Sequence, residues 1–175
     1  MLPKVVIVGR PNVGKSSLLN LLAGRRVSIV DAVAGVTRDR VATEVQLPND
    51  NDAAPRQIEL VDTGGHDIED TQALTQHVEQ QIAYGVSEAD VLLFVIDAQA
   101  GIVPLDQEVA KLLRTQGGRT PVVLVANKVD GEKFIADAQE AARLGFGEPV
   151  CVSATAGYHK HELLGTIAQR LADYP

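Results

Sequence analysis

Apolar and polar positions fall into two rhythms along this chain. Lys4 to Val8, Leu92 to Asp97, Val122 to Asn127 and Val150 to Ser153 are short apolar runs rich in valine. Apolarity without alternation marks strands covered on both faces, as in a parallel sheet. Between these runs, Leu105 to Gln116, Lys133 to Leu144 and His161 to Leu171 carry helical periodicity, and Thr71 to Val86 reads as a further helix. A Gly/Pro turn after Val8 leads into a helix ending near Ala23. Thr43 to Leu47 and Gln57 to Val61 flank the polar stretch Pro48 to Pro55 and read as a hairpin. The pattern predicts an α/β fold: a doubly wound, mostly parallel six-stranded sheet with one antiparallel edge strand and helices on both faces. Such sheets bind ligands at the carboxyl ends of their strands.

A length of 175 residues suits one domain with one core, expected over residues 1–172, with residues 173–175 as the start of a linker. No signal peptide is expected, because Gly9 and Arg10 interrupt the apolar stretch Val5 to Val8 at once. The other apolar runs are too short to span a bilayer. The single cysteine, Cys151, permits no internal disulfide and suits a reducing compartment, so a cytoplasmic location without membrane contact is expected. A net charge of -7 argues against a broad polyanion-binding surface, and no direct nucleic-acid binding is expected of this domain alone. It does not argue against one phosphate ligand, which needs only a few oriented donors.

Gly9-Arg10-Pro11-Asn12-Val13-Gly14-Lys15-Ser16 follows a predicted strand, opens a helix and matches the phosphate-loop pattern G-x-x-x-x-G-K-[ST]. Its glycines let backbone N–H groups turn inward toward phosphate oxygens, and the helix N-terminus adds a positive dipole end. Lys15 is expected to reach the β- and γ-phosphates, and Ser16 to ligate magnesium. Asp62-Thr63-Gly64-Gly65 ends another predicted strand. There Asp62 can hold magnesium through water, and the Gly65 N–H can face the γ-phosphate. Asn127-Lys128-Val129-Asp130 ends a third. Guanine presents two donors on one edge, which a carboxylate accepts and which adenine lacks, so Asp130 points to GTP rather than ATP. Asn127 can pair with the opposite edge of the base and tie its loop to the phosphate loop, while the Lys128 stem can lie on the base. Ser153, Ala154 and Thr155 follow the last strand, where a backbone N–H would sit near the base oxygen. Thr37, in Gly35-Val36-Thr37-Arg38-Asp39, can give a hydroxyl oxygen to magnesium.

Together these residues closely resemble the TrmE–Era–EngA branch of translation-associated GTPases, and best the N-terminal GTPase domain of the Der (EngA) family. The resemblance begins at Pro3-Lys4-Val5-Val6-Ile7-Val8 and runs through Ser17. It returns at Gly35-Val36-Thr37-Arg38-Asp39-Arg40, Asp62-Thr63-Gly64-Gly65, Asp97-Ala98-Gln99-Ala100-Gly101 and Asn127-Lys128-Val129-Asp130-Gly131. It implies a Ras-like G domain that hydrolyses GTP to GDP. It also implies an excised first domain: family members carry a second GTPase domain and a KH-like domain and act in assembly of the large ribosomal subunit. An asparagine at the place of Asn12 implies a potassium ion that stimulates hydrolysis.

One position departs from the family pattern. His66 stands where Der-like proteins usually have an aliphatic residue and Ras-like ones a catalytic glutamine. It can orient the attacking water, or it can be an exposed loop residue. His77 sits on a predicted helix, and His159 and His161 flank Lys160 on what reads as a solvated face. Two other readings stay open: a non-enzymatic guanine-nucleotide-binding module, and a P-loop kinase, which would leave Asp130 unexplained.

Overall fold

Strand β1 (Lys4–Val8) sends Val5 and Ile7 into one hydrophobic layer and Val6 and Val8 into the other. Strand β4 (Val91–Asp97) repeats this, with Val91, Leu93 and Val95 on the first side and Leu92, Phe94 and Ile96 on the second. Both faces are covered, which is why these runs show no polar alternation. The computed structural model describes residues 1–25, 40–48, 54–55, 57–64 and 71–172. Within them, six strands form one sheet in the order β2-β3-β1-β4-β5-β6. The others are β2 (Val41–Gln46), β3 (Gln57–Asp62), β5 (Val122–Asn127) and β6 (Val150–Cys151). Only the pairing of β2 with β3 is antiparallel. The doubly wound sheet with one antiparallel edge strand is therefore as the apolar pattern implies.

Helices α1 (Lys15–Ala23) and α5 (Lys160–Ala172) cover the first face through Leu18, Leu22, Leu163 and Ile167. Helices α2 (Thr71–Glu88) and α3 (Pro104–Gln116) cover the second through Val78, Ile82, Val109 and Leu113. Leu93, Phe94 and Ile96 of the central strand β4 are almost wholly excluded from water. Burial of each contributes about 1.5–3 kcal/mol. β1 and β4 are neighbours, yet the helices that follow them lie on opposite faces. That divergence opens a crevice at their carboxyl ends, where the loops after β1, β3, β4, β5 and β6 gather.

Two predicted elements change form. Lys133 to Leu144, read as one helix, is a single α-helical turn and a half, α4 (Ile135–Gln139), between 3₁₀ turns at Glu132–Phe134 and Glu140–Leu144. The buried residues are Ala138, Ala141 and Leu144, spaced by three, which is the repeat of a 3₁₀ helix rather than an α-helix. The last strand stops at Cys151. Beyond it the Val152 N–H still donates to Ala126 O at 2.8 Å, but Ser153 pairs with Tyr158 and the chain turns toward the end of β5. The solvated face expected at His159 is also a bonded one: its Nδ1 lies 2.9 Å from Cys151 O and 3.1 Å from Glu162 Oε2. Among the described residues, no helix is long and apolar enough to cross a membrane.

Candidate functional site

The loop from Gly9 to Gly14 joins β1 to α1 and needs its glycines for different reasons. Gly9 has φ 156°, and a Cβ there would stand 2.7 Å from Val95 O, so the backbone of β4 leaves no room for a side chain. Gly14 has φ 96°, and a Cβ there would run into Asn127 Nδ2. Asn12 takes the left-handed region with φ 70°, which asparagine tolerates better than most residues. The loop delivers the chain into α1, whose first N–H groups have no carbonyl partner within the helix and so face an anion favourably.

Lys15 is 2% exposed, and its Nζ donates to Gly9 O at 2.6 Å and to Arg10 O at 3.3 Å. Burial lowers its pKa from 10.5 to about 8; the Asp62 carboxylate pulls it back up, and Arg10 adds to the lowering. Among the described residues the hydrogen-bond acceptors of this buried ammonium are two neutral carbonyls, and the pull of Asp62 does not offset its burial, so an anion in the loop would stabilise it further. Asp62, at the end of β3, accepts the Gly64 N–H at 2.9 Å and is 1% exposed. Ser16 is half-buried in the first turn of α1. The Ser16 hydroxyl and the Asp62 carboxylate are hard oxygen donors of the kind magnesium takes. Among the described residues no cluster of three or more His, Cys, Asp or Glu forms a metal cage. A magnesium ion here would draw on the Ser16 hydroxyl, on Asp62 through water and on substrate phosphate, while the expected Thr37 oxygen lies outside the described residues.

At the other end of the crevice, Asn127 is 2% exposed. Its Nδ2 donates to Val13 O at 2.9 Å, which ties the end of β5 to the phosphate loop as expected. Its Oδ1 accepts the Ala154 N–H at 3.0 Å. That contact fixes the Ala154 backbone beside the end of β5. Lys128, with φ 66°, stretches its stem across the crevice so that Nζ meets Asn12 O at 2.7 Å and Asp97 Oδ2 at 2.8 Å. Asp130 is exposed, and its carboxylate accepts from Ser153 Oγ at 2.6 Å and from Gln99 Nε2 at 2.8 Å. Val129 is buried, whereas Thr155 is exposed.

Arg10 belongs to the loop by its backbone, while its side chain turns away. Its Nε meets Asp106 Oδ1 at 3.2 Å, and Asp106 Oδ2 accepts the Val103 N–H at 2.9 Å where α3 begins. Asp106 is 0% exposed, and burial pushes its carboxyl up despite the Val103 N–H and the Arg10 charge. Gln81 of α2 reaches under the loop: its Oε1 accepts the Gly9 N–H at 3.1 Å and lies 2.8 Å from the Thr63 hydroxyl, which also reaches Ile7 O. Sequence reading missed Gln81, Gln99 and Asp106. A lone glutamine or aspartate on an amphipathic helix or loop carries no signal of a partner far along the chain. Thr37, Gly65 and His66 lie outside the described residues. Of the stretch around Thr37 only Arg40 is described, its guanidinium 3.8 Å from the centre of the Tyr84 ring.

Comparison with known proteins agrees with this geometry. Residues 4–128 match the family described as 50S ribosome-binding GTPase. GTPase Der of Rhodopirellula baltica is 47% identical over 171 residues, 98% of this chain but 36% of that protein. GTPase Der of Clostridium perfringens is 40% identical over 98% of this chain and 37% of its own length. The chain thus spans little more than a third of the curated relatives it matches. Among solved structures, Era of Aquifex aeolicus bound to GDP and aluminium fluoride superposes with a TM-score of 0.71 at 34% identity, covering 98% of this chain and 57% of that one. Elongation factor SelB of Methanococcus maripaludis, at 21% identity over 99% of this chain and 34% of that one, shares the fold with a TM-score of 0.73. With phosphate loop, Asp62 and N-K-x-D converging on one crevice, the chain belongs to the 50S ribosome-binding GTPase family.

Proposed function

We propose that this domain binds GTP and GDP in the crevice between the phosphate loop and Asp130 and hydrolyses GTP with magnesium, stimulated by potassium. The observation that carries the proposal is Lys15: a buried cation with two carbonyl partners and a lowered pKa, at the mouth of a helix N-terminus. The phosphates replace those carbonyls as its partners. The N–H groups of the loop and of the first turn of α1 hold the remaining oxygens. Magnesium, when bound by Ser16 and Asp62, neutralises charge on the phosphates. Water attacks the γ-phosphorus in line, the bond to the bridging oxygen breaks, and GDP leaves with inorganic phosphate as the other product. The chain positions the reactants and supplies fixed charge rather than forming covalent intermediates. The exposed Asn12 is the proposed potassium contact, and Thr37, Gly65 and His66 complete the switch and water-facing positions.

In the longer protein, residues 1–172 form the first GTPase unit, followed from about residue 173 by a linker to a second GTPase domain and a KH-like domain. The intact molecule acts as a cytoplasmic switch in large ribosomal subunit assembly. The relatives named GTPase Der and the family description support this reading.

Phosphate release from GTP and ATP, measured with magnesium in potassium or sodium at equal ionic strength, tests the activity. GTP is expected to be hydrolysed and ATP not. Potassium is expected to raise the rate roughly tenfold or more, as an electrostatic contact acting in the transition state can, and Asn12→Ala to abolish the response. His66→Ala should alter the rate less than that. Absence of phosphate release even in a single turnover would leave a non-enzymatic nucleotide module. Transfer to an acceptor other than water would indicate a kinase.

A further inference from the structure

The loop after β4 closes over the guanine-reading end of the crevice. Asp97 Oδ1 accepts the N–H groups of Gln99 at 2.8 Å and Ala100 at 3.1 Å, and Asp97 Oδ2 holds Lys128 Nζ. This turn fixes the backbone of Gln99. Its side chain then reaches back across the N-K-x-D loop, where Nε2 donates to Lys128 O at 3.0 Å and to Asp130 Oδ2 at 2.8 Å. Both partners only accept, so the NH2 end of the amide must face them, and both of its hydrogens are used.

Asp130 offers two oxygens with about four lone pairs in all. Ser153 occupies one on Oδ1, and Gln99 occupies one on Oδ2. One acceptor site stays open on each oxygen, matching the two donors on guanine's edge. A carboxylate gripped at only one oxygen turns about its Cβ–Cγ bond and presents one good acceptor at a time. Gripped at both, it is held in a plane that serves N1–H and the N2 amino group together. We propose that Gln99 is a positioning residue for guanine selection, locking the Asp130 carboxylate so that both of its oxygens read the base. The inference rests on the guanine-nucleotide reading above. It assigns a role to a residue outside Asn127-Lys128-Val129-Asp130.

The test is equilibrium binding of GDP and of inosine diphosphate, which keeps N1–H and lacks the N2 amino group, to the parent, Gln99→Ala and Gln99→Glu. Gln99 is exposed, so its truncation removes no core contact, and melting of the ligand-free proteins checks that the fold is kept. The parent is expected to prefer GDP. Gln99→Ala is expected to lose roughly tenfold in GDP affinity with less than about twofold change for inosine diphosphate, the scale of one hydrogen bond to a charged group. Gln99→Glu, which keeps the length but puts an acceptor against Asp130, is expected to lose at least as much of the preference. Equal losses for both nucleotides, no loss, or tighter GDP binding on truncation would each overturn the proposal, the last by showing that Gln99 competes with the base. A parent that binds the two nucleotides alike would overturn the reading of Asp130 itself, and this proposal with it. A parent that discriminates while the variants discriminate equally well overturns only the role of Gln99.

Discussion

Nucleotide binding should draw a proton onto Lys15, and the perturbation that exposes this is a rise in pH. In the ligand-free fold Lys15 has a pKa of about 8, because burial outweighs the pull of Asp62. Phosphate oxygens stabilise the ammonium, so the bound-state pKa is higher and the proton is taken up on binding. The charged fraction falls from about nine-tenths at pH 7 to about one-quarter at pH 8.5, which weakens GDP binding about fourfold on this account. Calorimetry at pH 8 in two buffers of different ionisation enthalpy should count about half a proton taken up per site. The range stays below the ionisation of guanine's own N1–H. Lys15→Met should bind far more weakly and lose this proton uptake. The same shift acts on stability, with the sign reversed from that of a lysine gaining a partner. The folded pKa, about 8, lies below the ordinary 10.5, so the unfolded chain binds the proton more tightly. The cost of the buried charge is full below pH 8 and is relieved as pH rises toward 10.5. Over that window the ligand-free parent should gain about 3 kcal/mol relative to Lys15→Met. A GDP affinity that is flat from pH 7 to 8.5, with no proton uptake, would refute the argument that Lys15 waits in the fold as a poorly compensated cation.

Gly9→Ala should destabilise the ligand-free domain by about 1–3 kcal/mol, because φ 156° disfavours a side chain and Val95 O blocks a Cβ; thermal melting reads it. Asp106→Ala should cost about 2–3 kcal/mol by denaturant titration, since it removes both the Arg10 pair and the Val103 N–H contact. Asp106→Asn, which can keep the Val103 contact, should cost less. Asp130→Asn should weaken GTP binding and improve that of xanthosine triphosphate, whose carbonyl replaces the N2 donor; competition between the two nucleotides decides it, and an unchanged preference would mean that Asp130 does not read the base.

The alternation of the two rhythms along this sequence was enough to determine the sheet and its covering helices. A strand buried on both faces must be apolar throughout, and the 3.6-residue period has no use in such a strand. The phosphate loop was equally legible, because Gly9 and Gly14 answer local demands of backbone angle and close approach that only glycine meets. Lys133 to Leu144 was misjudged because spacings of three and four both pass as helical until the packed face shows Ala138, Ala141 and Leu144 in a period of three. Tertiary structure alone decided the partners that lie far along the chain. Gln81 meets the Gly9 N–H across 72 positions, and Arg10 meets Asp106 across 96. Such pairs leave no mark in local periodicity, because a hydrogen bond depends on where folding brings two groups and not on their separation in sequence. The same holds for the lowered pKa of Lys15: the lysine is written in the motif, but the water it loses is removed only when the sheet, the loop and α1 close around it.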